Sequence, residues 1–114
     1  MSYYYIYDEF TQDKKYEREV LKIENRLTDL GIAGKIARLA LFKSADELVR
    51  DEVRRGANTV IVVGNDRSIY KVIDVVADLG VTVGMITLGP DNRLAKLFGI
   101  PEGVAACDIL SARI

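Results

Sequence analysis

Short apolar runs alternate with amphipathic stretches along the chain. Apolar or aromatic runs of strand length cover residues 3–7, 35–42, 59–63, 81–86 and 105–110, and each predicts a β-strand. The run at 59–63, Thr-Val-Ile-Val-Val, lacks polar alternation, which is typical of a strand buried on both faces. The pattern therefore predicts a sheet whose strands are covered by other elements.

Between these runs, apolar residues recur every three or four positions, which predicts helices with one buried face. Asp13 is placed to cap the first helix, and the sequence Ser-Ala-Asp-Glu at residues 44–47 is a capping box for the second. Ser68 is placed to cap the third helix. The predicted helices cover residues 13–30, 44–55, 68–79 and 92–98.

Strands and helices alternate with short connections, an order that requires parallel strands joined by crossovers. We therefore expect an α/β fold, a three-layer sandwich around a mainly parallel, Rossmann-like sheet. One domain is expected to span residues 1–114. The chain ends in an apolar stretch, which predicts either a buried last strand or a chain that continues in a longer protein.

Composition narrows the classes of function. A formal net charge of -1 gives no electrostatic basis for binding nucleic acid, so no nucleic-acid partner is expected. The chain has no histidine and a single cysteine, Cys107, so it lacks the usual ligands of zinc, and no metal-binding residue is predicted. No apolar run reaches the roughly 18 residues of a membrane helix, so no transmembrane segment is expected. A single cysteine, which has no partner for an internal disulfide, favours a cytoplasmic protein.

Three connections are expected at one edge of the sheet. Ligands of parallel sheets bind beyond the carboxyl ends of the strands, where these connections begin. We call residues 8–13 the first loop, residues 64–68 the second loop and residues 88–92 the third loop. A functional site is expected where they meet.

The second loop, Gly-Asn-Asp-Arg-Ser, joins a buried strand to a helix, which aims amides and the positive helix end at an anion. Gly64 would let a ligand approach the backbone closely, and Asn65 would tolerate left-handed dihedral angles. Arg67 would contact a phosphate with two hydrogen bonds. The same sequence also fits a plain turn in which Ser68 caps the helix and Asp66 and Arg67 are solvated.

Two motifs stand at the ends of neighbouring predicted strands: Gly-Asn-Asp-Arg-Ser at 64–68 and Leu-Gly-Pro-Asp-Asn-Arg-Leu-Ala-Lys at 88–96, the latter followed by Phe-Gly-Ile-Pro. Together they resemble the N-terminal, nucleotide-binding domain of the diacylglycerol kinase and NAD kinase superfamily, nearest the bacterial lipid kinases. That family carries Gly-Gly-Asp-Gly-Thr, then Pro-Leu-Gly-Thr-Gly-Asn-Asp-Phe-Ala-Arg and a Leu-Gly-Ile-Pro ending. The positions that match these motifs are Gly64, Asp66, Ser68, Leu88, Gly89, Asn92, Ala95, Lys96, Gly99, Ile100 and Pro101.

Other positions depart from the family pattern. Asn65 and Arg67 replace two glycines of the first motif, which keeps the backbone farther from a phosphate. Pro90 removes an amide donor from the second motif, and Asp91 adds a negative charge there. The first loop is acidic and lacks the Asn-Pro and the glycine that the family shows after its first strand. All three phosphate-facing loops are therefore altered.

The resemblance implies the ATP-binding half of a diacylglycerol or lipid kinase-like protein, with Mg²⁺ accompanying the nucleotide. Asp66 is expected to make a polar contact to the nucleotide or its metal. The family's second, β-rich domain does not fit in 114 residues, so the chain alone is not expected to be a complete kinase, and no catalytic residue is assigned. The residues expected nearest the nucleotide are Gly64, Asn65, Asp66, Arg67, Ser68, Gly89 and Asn92.

Two other functions stay open. The scaffold could have lost nucleotide binding and serve as an interaction or assembly module, which predicts a homo-oligomer or a partner domain. A flavodoxin-like or receiver-like domain that binds another anion is a third interpretation, suggested by the acids Asp8 and Glu9 after the first strand. The lysine that a phosphate receiver needs after a later strand is missing, which argues against that function.

Overall fold

The computed structural model describes residues 2–39 and 44–114, and within them four strands form one parallel sheet. The strands are β1 (Tyr3–Tyr7), β2 (Lys35–Arg38), β3 (Thr59–Gly64) and β4 (Thr82–Thr87). The helices are α1 (Glu17–Asp29), α2 (Ala45–Arg54), α3 (Asp66–Val76), α4 (Arg93–Leu97) and α5 (Ala105–Arg113). Two short 3-10 helices, Glu9–Gln12 and Lys14–Tyr16, connect β1 to α1.

The strands lie in the order β2-β1-β3-β4, with every neighbouring pair parallel. The central strand β3 is buried at all six positions, as its unbroken apolar run predicts. Its register places Ile61 beside Tyr5 of β1 and beside Gly84 of β4. β1 and β3 are therefore neighbours, while the strands that follow them, β2 and β4, lie on opposite sides of this pair.

Each face of the sheet carries its own hydrophobic core, because successive side chains of a strand point to opposite faces. Val60 and Val62 of β3 face one core, which contains Val49 of α2 and Val72 of α3. Ile61 belongs to the other core, together with α1 and α5. Helix, sheet and helix layers follow from this alternation, and the predicted three-layer α/β sandwich is confirmed.

The predicted strand over residues 105–110 is wrong, since these residues form most of α5. A short apolar run does not distinguish a strand from a buried helix by periodicity, and contacts with α1 select the helix. Asp108 pairs with Arg26, and the Glu19 carboxylate accepts the Val104 amide at 3.2 Å where α5 begins. Cys107 is fully buried in this layer, and burial raises the pKa of its thiol to about 11, as expected of an unreactive core cysteine.

Two predicted helix starts are also corrected. Asp13 caps the 3-10 helix Lys14–Tyr16 by accepting the Lys15 amide at 3.2 Å, and α1 begins only after that turn. α3 begins earlier than predicted, and its N-cap is Asn65 instead of Ser68. The capping role predicted for residues 44–47 is confirmed, because the Ser44 hydroxyl accepts the Glu47 amide.

The strand predicted over residues 35–42 ends at Arg38, and its residues 40–42 lie outside the described part of the chain. The short fourth helix predicted near residues 92–98 is confirmed as α4. Within residues 2–39 and 44–114, no helix has the length and apolar character needed to cross a membrane.

Candidate functional site

The carboxyl edge of the sheet brings the three loops together. Connections that leave β1 and β3 diverge to opposite sides, which opens a crevice between the first and second loops. The Asp8 amide donates to the Val63 carbonyl at 2.9 Å, and the Leu88 amide donates to the Gly64 carbonyl at 2.9 Å. All three loops thus begin from adjacent strand ends, and the prediction that they share one edge is confirmed.

Asp66 joins the second loop to the third. Its amide donates to the Asp91 carbonyl at 2.9 Å, while its carboxylate accepts the amides of Arg93 and Leu94 at 2.9 and 3.1 Å. Asn92 precedes α4 without a capping side-chain bond, so Asp66 supplies the cap from another helix. A carboxylate at the positive end of α4 is also favoured by the helix dipole. Asp66 is therefore fitted to hold the two loops together.

Ser68 joins the second loop to the first. Its hydroxyl donates to Asp8 Oδ2 at 2.5 Å and accepts the Asn65 amide at 3.2 Å. In return, Asn65 Oδ1 accepts the Ser68 amide at 3.3 Å, which completes a capping box. Asn65 has extended backbone angles, φ -129 and ψ -172, so the left-handed geometry considered for it is not adopted.

The close approach at Gly64 is made by this chain itself. A Cβ atom at Gly64 would lie 2.3 Å from the Ser68 hydroxyl oxygen and 3.1 Å from the Asp8 Cβ. Glycine is therefore required here to admit the Ser68 side chain. The space that a phosphate was expected to use beside Gly64 holds that hydroxyl.

Three amides of the second loop and the first two amides of α4 are satisfied within the molecule. The amides of Asn65, Asp66 and Ser68 have acceptors in Ser68, Asp91 and Asn65. The first two amides of α4 donate to Asp66. These five donors, which lie where a glycine-rich loop would bind a phosphate, are thus already engaged here.

In the third loop, two residues adopt left-handed backbone angles. Gly89 has φ +70 and Asp91 has φ +68. Asp91 stands where the resembling family has a glycine, the residue type that adopts such angles most readily, and aspartate adopts them at a cost. The buried Asn92 donates to the Gly89 carbonyl at 2.6 Å and to Glu102 at 3.3 Å, which fixes the shape of this loop.

Aromatic side chains of the β1–α1 connection cover Gly89. A Cβ atom at Gly89 would lie 2.6 Å from the Tyr16 hydroxyl oxygen and 3.4 Å from a ring carbon of Phe10. The two rings meet edge to face with centroids 5.5 Å apart, and the Lys15 ammonium lies 5.2 Å from the Tyr16 ring centre. The first loop and the turn after it therefore form a wall against the third loop.

A cavity of about 550 Å³ opens between these walls at the point where the connections that leave β1 and β3 diverge. It combines acids, cations and an apolar wall. Its lining residues are Asp8, Glu9, Phe10, Asp13, Lys15, Tyr16, Asn65, Arg67, Lys71 and Pro90. A neighbouring cavity of about 590 Å³ shares Asp8, Glu9, Arg67 and Lys71 with it. The crevice is thus continuous across the first turn of α3.

The predicted site residues separate into two groups within this arrangement. Asn65 and Arg67 line the crevice, whereas the others support its walls from behind or beside it. Lys15, Lys71 and the aromatic pair also line the crevice and were not among the predicted site residues. The spacing of Arg67 and Lys71, one turn apart on α3, was a usable signal; the role of the aromatic pair depends on the fold.

Comparison with known proteins agrees with this architecture. A family model described as the diacylglycerol kinase catalytic domain matches residues 2–114. A solved diacylglycerol kinase from Bacillus anthracis str. Sterne has 16% sequence identity and a TM-score of 0.83, covering 99% of this chain and 40% of that chain. Two further structures from the same strain, described as of the diacylglycerol kinase type, have 17% identity and TM-scores of 0.77 and 0.78, covering 99% of this chain and 39% and 40% of theirs. No curated protein matches the sequence significantly.

The solved structures and the family model support different statements. At 16% to 17% identity, the structures show a shared fold, and this chain spans only 39% to 40% of their length. The family model extends over almost every residue of the chain, including the second and third loops. The resemblance predicted from the loop motifs is confirmed: this chain belongs to the diacylglycerol kinase catalytic domain family.

Proposed function

We propose that this chain is the nucleotide-binding half of a lipid kinase-like protein and that ATP binds in the crevice between the first and second loops. The bond network of Asp66 is the observation that carries the proposal. It brings the two family motifs to one edge of the sheet, where α/β proteins bind ligands. A cytoplasmic location belongs to the same proposal.

Each predicted site residue has a defined part in this proposal. Asn65 and Arg67 would contact the nucleotide, since they line the crevice. The remaining residues would keep the walls in place: Gly64, Asp66, Ser68, Gly89 and Asn92. Mg²⁺ would be carried by the phosphates of the nucleotide, because Asp66 is engaged with backbone amides. When bound, the ion would neutralise charge on the phosphate being transferred.

Catalysis would need more than this chain. The solved relatives are longer, and 99% of this chain corresponds to only 39% to 40% of their length. A second, β-rich domain, as the resemblance implies, would close the crevice and contribute the acceptor site for a lipid hydroxyl. Activity and acceptor therefore belong to the complete protein, and nucleotide binding is the step assigned to this half.

Calorimetric titration of the chain with Mg-ATP and Mg-ADP tests the proposal. We expect saturable binding that is weakened by Asp66→Ala, since that variant releases the third loop from the second. Asp51→Ala is the matched control, an exposed carboxylate on α2 that lines neither cavity. A folded wild-type chain that takes up no nucleotide at millimolar concentration would contradict the proposal.

A second candidate, an interaction or assembly module without nucleotide binding, is favoured by one observation. The loop amides are engaged inside the molecule, and the space beside Gly64 holds the Ser68 hydroxyl. This candidate predicts self-association and no response to nucleotide. Sedimentation velocity over a wide concentration range tests it, and a monomer throughout, together with nucleotide binding, would exclude it.

A further inference from the structure

We infer that the crevice holds the phosphates of its nucleotide with the side chains of Lys15, Arg67 and Lys71 instead of loop amides, so that binding does not require a divalent cation. The inference rests on the proposed function in taking a nucleotide as the ligand. It goes further by assigning the phosphate contacts to three cations, two of which lie outside the segments that match the family motifs. We call these three residues the cation triad.

Several backbone donors of the second loop are already engaged. In the second loop, the amides of Asn65, Asp66 and Ser68 already donate to acceptors within the chain. Releasing them for a phosphate would break the capping box of α3 and the link to the third loop. A phosphate that enters the crevice therefore meets side chains first.

The cation triad lies around the crevice. Arg67 and Lys71 lie one turn apart on α3, and Lys15 lies on the opposite side of the crevice, in the turn before α1. In the part of the chain that the structure describes, none of the three forms an ion pair, whereas Arg26, Arg50 and Lys35 do. Their charges are thus available to a ligand between them.

Two of the three acids that line the same crevice, Asp8 and Asp13, are held by other donors, and the third is Glu9. Asp8 accepts the Phe10 amide at 3.3 Å and the Ser68 hydroxyl at 2.5 Å. Asp13 accepts the Lys15 amide at 3.2 Å. These bonds direct the two carboxylates towards the backbone and the helix cap. The three cations then face one remaining carboxylate, that of Glu9, so the lining of the crevice favours an anion.

An apolar wall lies beside the cation triad. Phe10, Tyr16 and Pro90 line the same cavity, and the two aromatic rings are fixed against each other and against Gly89. Aromatic surface next to cations suits a ligand that has a planar ring joined to phosphates. The volume of about 550 Å³ is in the range of small-molecule sites. A nucleoside diphosphate or triphosphate has this chemistry.

The test compares three probes in buffer with EDTA: ADP, pyrophosphate and adenosine. The variant is Arg67→Gln/Lys71→Gln, which keeps the aliphatic part of each side chain close to the backbone and removes two positive charges. Arg18→Gln/Lys22→Gln is the matched control, because these exposed cations have the same spacing on α1 and lie outside the crevice. Circular dichroism establishes that every variant is folded.

We expect wild type and the control to bind ADP and pyrophosphate without Mg²⁺. The Arg67→Gln/Lys71→Gln variant should bind both about tenfold more weakly, as expected for the loss of partly exposed charged contacts. Its affinity for adenosine should be unchanged. Raising the ionic strength should weaken ADP binding in wild type more than in the variant, since salt screens exposed charges.

Two results would overturn the inference and leave the proposed function intact. One is nucleotide binding that appears only when Mg²⁺ is added. The other is equal ADP affinity in wild type and Arg67→Gln/Lys71→Gln. A folded wild type that binds no nucleotide with or without Mg²⁺ is a different failure, since it removes the proposed function itself.

Discussion

Asp66 Oδ2 accepts the backbone amide of Arg93 at 2.9 Å, across 27 positions of sequence. This bond and its neighbour at Leu94 join the two loops that carry the family motifs. The aspartate of the first motif therefore acts on the second motif directly. It explains why an Asp at this position is useful even where the glycines around it have been replaced.

Asp66→Ala should lower the free energy of unfolding by about 1 to 2 kcal/mol, the usual cost of losing a helix cap with charged hydrogen bonds. Asp66→Asn should cost less, because an amide oxygen still accepts one of the two bonds. Urea denaturation measures both. Asp74→Ala, an exposed acid on the same helix, should stay close to wild type, and an equal loss in that control would contradict the capping role.

Gly64→Ala should be destabilising because the new Cβ would lie 2.3 Å from the Ser68 hydroxyl oxygen. The expected loss is about 1 to 3 kcal/mol, typical of overpacking. Ser68→Ala should also destabilise, by removing the capping box and the bond to Asp8. The double variant should lose less than the sum, since its closest clash is gone. Strict additivity in denaturation measurements would contradict this contact.

Asp91 provides a test of backbone geometry, since its φ of +68 is left-handed. Asp91→Ala should lower the free energy of unfolding by about 1 kcal/mol, because alanine adopts this conformation less readily than aspartate. Asp91→Gly, which restores the residue of the family pattern, should be at least as stable as wild type. Thermal denaturation of the two variants gives the order, and a more stable alanine variant would be inconsistent with a left-handed residue here.

Alkaline pH should weaken the fold through its buried acids. Burial raises the pKa of the Cys107 thiol from 9.0 to about 11, and burial also raises the pKa of Tyr4 to about 12. The unfolded thiol loses its proton first, so its contribution is complete below pH 9.0 and declines as the pH rises towards about 11. Urea denaturation across that range measures the decline. Cys107→Ala should reduce its steepness, and an unchanged slope would argue against a buried neutral thiol.

Much of the fold was predictable because the local pattern of apolar residues indicates which segments are buried. The apolar run at 59–63 predicts a central strand, and β3 is buried at all six positions. A strand was predicted over residues 105–110 because a short apolar run fits a strand or a helix equally well. The residues form a helix whose buried face, Ala106, Cys107 and Leu110, packs in the core that α1 shares, and this partner lies far away in sequence.

The site was predictable in its location but only partly in its chemistry. Matching motifs placed the second and third loops together, and the Asp66 bonds agree. No local pattern indicates that Ser68 fills the space beside Gly64 or that Tyr16 covers Gly89. Such relationships arise between loops that only the fold brings into contact.

Chemical-shift mapping of the ¹⁵N-labelled chain during titration with Mg-ATP tests the central claim most directly, because it reports where the nucleotide lies. The largest amide shifts should fall at Asn65, Arg67 and the turn around Lys15, with the exposed face of α1 near Lys22 unchanged. Shifts concentrated away from the carboxyl edge of the sheet, or no shifts in a folded sample, would contradict a nucleotide site in the crevice between the first and second loops.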